Sequence, residues 1–94
     1  MSDNTVTVLI PTALRPQVEE QASIAIAGAS VKEVLGSLTD KYPELGKRLF
    51  KGDNEINRFI NLYVNDEDIR FLENLDTAVK PGDELSIVPA IAGG

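Results

Sequence analysis

The last two residues, Gly93 and Gly94, are the first candidates for chemistry in this chain, because the usual reactive side chains are missing. The sequence contains no Cys and no His. Disulfides, thiolate nucleophiles, iron–sulfur clusters and His-based metal or proton-transfer sites are therefore excluded. Carboxylate pairs and Lys chemistry normally need a cleft, which a domain of 94 residues seldom shapes beside its core. Such chemistry stays possible in principle, but we expect the active element to be a surface or a terminus.

The C-terminal segment PAIAGG predicts an extended arm with a reactive end. Its last five residues, Ala90 to Gly94, reach about 17 Å at roughly 3.3–3.6 Å per residue. Gly93 and Gly94 have no side chains, so a narrow channel in another protein can accept them at any backbone angle. Adenylation by ATP would convert the carboxylate of Gly94 into a mixed anhydride. Attack by a sulfur nucleophile would then give a C-terminal thiocarboxylate.

Within this arm we expect Ala90, Ile91 and Ala92 to line the channel of a partner protein, with Ile91 as an apolar anchor. The alternative is that Ile91 packs back on its own domain. Frayed chain ends are often rich in Gly, so a disordered stub is the competing interpretation of the whole segment. The order of the strands that precede the segment therefore has to distinguish a reactive end from a disordered stub.

Composition and charge narrow the choice of partners. Hydrophobic residues make up 43% of the chain and the net charge is -6, which indicates one small folded domain with an acidic surface. Such a surface repels phosphate backbones and anionic membranes, so we expect no nucleic acid and no membrane among the partners. The N-terminal MSDNT lacks the basic start and apolar stretch of a secretory signal, so we expect a cytoplasmic protein.

The first half of the chain predicts two strands and one helix. NTVTVLIP alternates with period two, TALRPQVEEQ reads as a loop, and ASIAIAGAS predicts a second strand, antiparallel to the first. SVKEVLGSLTDKYP predicts the main helix, with Ser30 and Glu33 as a capping box and Pro43 as its stop. Gly36 inside this helix costs about 1 kcal/mol relative to Ala, so we expect it to allow close packing on the sheet.

The second half predicts one or two short helical turns in PELGKRLFKGD, a strand in RFINLYVN, a short edge strand in IRFL and a last strand in ELSIVP. One helix covers only one face of such a sheet. The order therefore predicts an α+β fold of the β-grasp, or ubiquitin-like, type: a mixed sheet of four to five strands on one main helix. The last strand would lie parallel to the first. We expect residues 1–89 to form this domain and residues 90–94 a flexible Gly-Gly tail.

Two surface features of the second half also invite a functional interpretation. Phe59, Tyr63 and Val88 fall on the sheet face opposite the helix, where they would form an apolar patch for partner docking. A register error of one residue would instead place them in the core. The turn NDED gathers three carboxylates, but it lacks the Gly and the distant Glu of a calcium loop. We therefore favour a solvated turn, with Arg58 and Arg70 paired to these acids.

Three stretches resemble a known family, the ubiquitin-like sulfur carriers of the MoaD/ThiS type. They are IPTALRP after the first strand, RFINLYVNDEDIRF around the third strand, and IVPAIAGG at the end. The middle stretch and the loop TALRPQ are most similar to the branch of the family that serves cysteine biosynthesis. The likeness extends over nearly the whole chain.

The resemblance implies a mechanism in which this chain is a carrier and not an enzyme. An E1-like adenylyltransferase of the MoeB/ThiF type, with or without a rhodanese domain, would adenylate Gly94 and exchange the adenylate for sulfur. A pyridoxal-phosphate (PLP)-dependent cysteine synthase would then take the sulfur, and a zinc metalloprotease of the JAMM type would release the cysteine. The resemblance thus implies ATP, PLP and zinc in the partners and none of them in this chain.

Other functions stay open from the sequence alone. Molybdopterin or thiazole synthesis are the neighbouring branches of sulfur carriage. A ubiquitin-like modifier would use Gly94 for isopeptide bonds to lysines, with the same activation chemistry. A small regulatory binding module would have an inert tail.

Overall fold

The computed structural model describes residues 5–52, 55–57 and 60–89. In these ranges the strands are β1 (Thr5–Leu9), β2 (Ser23–Ala27), β3 (Phe50–Gly52), β4 (Glu55–Ile56), β5 (Ile60–Val64), β6 (Glu67–Asp68) and β7 (Glu84–Pro89). The α-helices are α1 (Val31–Lys41) and α2 (Pro43–Leu49), and three 3₁₀ helices span Thr12–Val18, Ile69–Phe71 and Asn74–Asp76. No helix within these ranges is both long enough and apolar enough to cross a lipid bilayer.

The main sheet has the strand order β2-β1-β7-β5-β6, and β3 and β4 form a separate two-stranded ribbon. β1 and β7 are parallel, with Val8 opposite Leu85, while β1 with β2, β5 with β7 and β5 with β6 are antiparallel. The last strand therefore lies in the middle of a mixed five-stranded sheet. This arrangement confirms the predicted β-grasp fold.

The core lies between one face of the sheet and α1. Alternate residues of β1 and β7 point inward, and Val6, Val8 and Leu85 are fully buried. From α1, four residues with helical spacing meet them, each fully buried: Val31, Val34, Leu35 and Leu38. Burying each such side chain contributes about 1.5–3 kcal/mol, so this contact dominates the stability of the domain.

Both ends of α1 follow the sequence signals. The Ser30 hydroxyl accepts a hydrogen bond from the Glu33 backbone N–H at 3.2 Å. The Glu33 carboxylate accepts one from the Ala29 N–H at 3.0 Å, one residue before the cap. The helix ends at Lys41, and Pro43 begins α2, because proline suits a first helical turn and cannot continue a helix from within.

The prediction for Gly36 is wrong, and another glycine makes the close contact. Gly36 lies on the exposed face of α1, and a Cβ added there would meet no atom within 4 Å. At Gly28, a Cβ would lie 2.7 Å from Cγ2 of Val34 and 2.9 Å from its backbone nitrogen. Gly28 therefore allows the end of β2 to approach α1.

Two other elements differ from the predictions. The segment predicted as a loop, TALRPQV, is a 3₁₀ helix that buries Leu14 and Val18. In the second case, IRFL is not an edge strand: Ile69–Phe71 is a 3₁₀ helix, and the edge strand is β6 before it. The physical reason is the side chain of Asp68, which accepts a hydrogen bond from the Arg70 backbone N–H at 2.8 Å and so starts the helical turn.

Candidate functional site

The base of the predicted tail is a central, doubly paired strand. β7 lies between β1 and β5, and its residue Pro89 is opposite Ile60 of β5. Leu85 and Ile87 of β7 are buried in the core, so the chain reaches Pro89 from a fixed position. The residues predicted to form the reactive arm lie outside the described residues, and their roles remain predictions: Ala90, Ile91, Ala92, Gly93 and Gly94.

The start of β7 is held by two linked turns. In the turn KPGD, Gly82 has φ +93°, which favours glycine, and the Asp83 N–H donates to the Lys80 carbonyl at 3.0 Å. The Asp83 carboxylate accepts from the Lys80 N–H at 3.0 Å and from the Asn65 amide at 3.1 Å. These bonds, the Lys80 N–H first, lower the pKa of Asp83. The Asn65 amide oxygen also accepts from the Glu84 N–H at 3.0 Å, which joins the two turns.

The sheet face opposite α1 carries two of the three predicted docking residues, Tyr63 and Val88. Tyr63 of β5 is opposite Ser86 of β7, and the next outward residue of β7 is Val88. Tyr63 is half-buried and Val88 is 39% exposed, so the structure places both outside the core and on one face. Phe59, the third predicted docking residue, lies outside the described residues.

The docking prediction overlooked Leu9. In the parallel pairing of β1 with β7, Leu9 is opposite Ser86, and it is half-buried on the same outer face. Leu9, Tyr63 and Val88 thus surround Ser86. The sequence did hold a signal: Leu9 is an apolar residue at an outward position of β1, where the other outward residues are Thr5 and Thr7. Its place beside Ser86 could be recognised only from the pairing of β1 with β7.

An ion pair borders this face at the edge of the sheet. Asp68 is opposite Tyr63 and is only 7% exposed. Its carboxylate accepts hydrogen bonds from Arg70 Nη2 at 2.7 Å and from Nε at 3.1 Å. These side-chain bonds, followed by the Arg70 backbone N–H, lower the pKa of Asp68, and Asp68 in turn raises the pKa of Arg70. The predicted pairing of Arg70 with this turn is present, while Arg58 lies outside the described residues.

The NDED turn is not organised as a cation site. Asn65 and Asp66 have φ +51° and +72°, as expected for a tight two-residue hairpin turn between β5 and β6. The Asn65 amide is bonded to the β7 turn and the Asp68 carboxylate to Arg70. Within the described ranges, no three acidic side chains are grouped so that they could hold a metal ion. What this part of the chain offers is a partly apolar outer face beside the end of a strand that is paired on both sides.

The strand order and the helix packed on the sheet define a ubiquitin-like β-grasp protein whose last strand is central in its sheet. The chain belongs to the ThiS family, which it matches over residues 8–94. This match confirms the MoaD/ThiS resemblance found in the sequence.

Individual relatives agree with the family assignment. The sulfur carrier protein CysO of Mycobacterium tuberculosis is 43% identical over 95% of this chain and 98% of that protein. The crystal structure of the Amycolatopsis orientalis BexX/CysO complex contains a chain with a TM-score of 0.86 and 43% identity, covering 95% of this chain and 99% of that one. The small archaeal modifier protein 1 of Methanosarcina acetivorans has a TM-score of 0.86 at 37% identity, with 97% of each chain covered.

Proposed function

We propose that this chain is a sulfur carrier for cysteine biosynthesis. The observation that carries the proposal is its 43% identity, over 95% of its residues, with the sulfur carrier protein CysO. In the proposed cycle a carboxylate oxygen of Gly94 attacks the α-phosphorus of ATP, and pyrophosphate leaves. A sulfide sulfur then attacks the acyl carbon, and AMP leaves with the electron pair of the C–O bond. The product is a thiocarboxylate whose sulfur is the nucleophile for the next enzyme.

The fold supports this role through the position of β7. A reactive group must be delivered to the active site of another enzyme within fractions of an ångström, and a fixed base reduces the conformations that the arm must lose. β7 supplies such a base because β1 and β5 pair with it on both sides. The arm itself needs no catalytic side chain, since ATP binding and acid–base chemistry belong to the partner.

Three partner enzymes complete the proposed cycle. An E1-like adenylyltransferase, with or without a rhodanese domain, charges Gly94. A PLP-dependent cysteine synthase accepts the sulfur onto an activated serine, and a zinc metalloprotease of the JAMM type cleaves the carrier–cysteine product. The complex of a CysO protein with BexX is consistent with partner binding by this fold. Adenylation consumes ATP, so the proposal places the carrier in the cytoplasm.

Intact-mass spectrometry tests the proposal directly. The chain is incubated with the E1-like enzyme, ATP and sulfide, and we expect a mass gain equal to one sulfur minus one oxygen at the C-terminal peptide. A matched variant with one Ala appended after Gly94 should gain no sulfur, because the added residue moves the reacting carbonyl away from the ATP site. An unchanged mass of the native chain in the presence of active enzyme would refute the proposal.

The same preparation separates the branches of sulfur carriage. The thiocarboxylated chain is offered in turn to a cysteine synthase, a molybdopterin synthase large subunit and a thiazole synthase. Transfer to activated serine, with no product from the other two, is the result expected for the cysteine branch. Product formation by one of the other enzymes alone would reassign the pathway and leave the carrier chemistry intact.

A second candidate function is protein modification, which the likeness to small archaeal modifier protein 1 supports. A modifier forms isopeptide bonds between Gly94 and lysines of other proteins. An epitope-tagged chain expressed in its host would then appear on blots as a ladder of high-mass conjugates that disappears when Gly93 and Gly94 are deleted. The carrier proposal predicts only the free chain in both samples.

A further inference from the structure

A cleft of about 390 Å³ opens at the edge of the sheet beside the first half of β5. Its lining is mostly apolar and includes Ile60, Ile69 and Leu75, and polar groups in the lining come from residues such as Asn61, Arg70 and Asn74. This volume lies within the range of about 300–1,000 Å³ that is usual for binding sites with a mostly apolar lining and a few polar groups.

The cleft exists because β6 is short. Among the described residues, β6 pairs with β5 only at Tyr63 and Val64. Beside Ile60 to Leu62, the place of a further strand is taken by the 3₁₀ helices Ile69–Phe71 and Asn74–Asp76, whose residues line the opposite wall. The Asp68–Arg70 ion pair joins the first of these helices to β6, whose Asp68 is opposite Tyr63 of β5.

The cleft adjoins both the outer face and the base of the arm. Asn61, which lines it, is directly opposite Val88 of the candidate docking face, and Ile60 is opposite Pro89. Neighbouring strands are about 4.8 Å apart, whereas the arm from Ala90 to Gly94 reaches about 17 Å. An enzyme that takes Gly94 into its active site lies within this reach of Pro89, close enough to cover the end of the sheet at which the cleft opens.

We propose that the cleft receives an apolar side chain, of the size of leucine or phenylalanine, from the E1-like enzyme that charges Gly94. The apolar part of the lining selects the side chain. The guanidinium of Arg70, whose side chain is 66% exposed, donates to a carbonyl or carboxylate next to it on the enzyme. This inference rests on the proposed function, because it identifies how the partner of that function is recognised.

A single engineered cysteine tests the proposal, since the native chain has none. Leu75→Cys places a thiol in the cleft, and Ala25→Cys on β2 is the matched control, separated from the cleft by β1, β7 and β5. Each variant is labelled with either a methyl group or a bulky aromatic maleimide. For sulfur transfer to Gly94, the bulky label at position 75 should raise KM at least about tenfold over the methyl label, a loss of about 1.4 kcal/mol of binding. At position 25 the two labels should give equal KM values.

Alkylation of the unlabelled Leu75→Cys variant provides a second measurement that does not depend on how a bulky label affects folding. Saturating enzyme should slow the reaction of this thiol with iodoacetamide at least about tenfold, as expected for a desolvated contact, and leave the Ala25→Cys thiol unaffected. An unchanged alkylation rate, or equal KM values for both labels at position 75, would overturn the inference. If the native chain itself gained no sulfur, the proposed function would fail instead.

Discussion

At the scale of single residues, Asp68 combines burial with a paired charge. It is 7% exposed, and Arg70 supplies side-chain and backbone hydrogen bonds that lower its pKa. A carboxyl with a lowered folded-state pKa stabilises the protein above its unfolded pKa of about 3.9. This stabilisation is lost as the pH falls through the lower, folded-state pKa. Asp68 therefore makes the domain sensitive to acid.

The corresponding prediction concerns the pH dependence of unfolding. Between pH 6 and pH 3, the free energy of unfolding of Asp68→Asn should fall by clearly less than that of the native chain, because the variant has no carboxyl to protonate. Urea titrations at several pH values measure this difference. Asp40→Asn, which removes an exposed carboxylate of α1, is the control for the loss of one negative charge. A parallel decline in native chain and Asp68→Asn would contradict the assigned role.

Substitution of Tyr63 gives the most direct test of the docking hypothesis. It is half-buried on the outer face beside Ser86, so its removal should cost partner contacts more than core packing. We expect Tyr63→Ala to weaken binding to the E1-like enzyme by about tenfold or more, the usual effect of losing an aromatic interface anchor. The melting temperature should change by only a few degrees.

Thr5→Ala supplies the matched control for Tyr63, because Thr5 lies on the outer face at the far end of β1. It should leave binding unchanged, as measured by titration calorimetry with the same enzyme. If Tyr63→Ala instead lowered the melting temperature strongly and left binding of the folded fraction intact, Tyr63 would be a structural residue.

At the scale of secondary-structure elements, two glycines predict opposite effects of the same substitution. Gly36→Ala should stabilise the domain by about 0.5–1 kcal/mol, because α1 gains helix propensity at an exposed position without a clash. Gly28→Ala should destabilise it by more than about 1 kcal/mol, since the added methyl would overlap with Val34. Urea unfolding at neutral pH measures both effects. Equal signs for the two variants would show that the packing of β2 against α1 is misassigned.

The sequence predicted the strands and the helix that bury one apolar face, and it missed a 3₁₀ helix that depends on contacts in the folded chain. Periodic apolar residues predicted β1, β2, α1 and β7, because burial on one face leaves a period of 2 or 3.6 in the sequence. The 3₁₀ helix Thr12–Val18 leaves no such pattern. The Arg15 side chain donates to the Ile10 carbonyl at 3.1 Å, and the helix buries Leu14 and Val18. Such contacts form only in the folded chain. Pro16 within the segment also favoured the prediction of a loop.

At the scale of the whole molecule, the strand order was predictable and the shape of the binding surface was not. The β-grasp topology follows from the order of elements, and it fixed the central position of β7. The set of residues on the outer face could not be predicted, because it depends on the strand register that brings Leu9 beside Ser86. The cleft depends on β6 having only two residues, a length set by the Asp68–Arg70 interaction and not by any apolar pattern. Predictions for residues 90–94 rest on the sequence and on the family.

The candidate docking face and Pro89, at the base of the arm, lie on neighbouring paired strands of one sheet, so the length of the arm beyond Pro89 should be critical for charging by the E1-like enzyme. Inserting Ser-Gly between Pro89 and Ala90 lengthens the arm by about 7 Å and leaves the outer face and the cleft unchanged. We therefore expect KM for sulfur transfer to stay within about twofold, while kcat falls at least about tenfold because the acyl carbon is misplaced. Ala90→Gly, which adds flexibility at constant length, is the control and should retain most of kcat. If the insertion variant were charged as fast as the native chain, docking and delivery would be independent, and the arm would act as a simple tether.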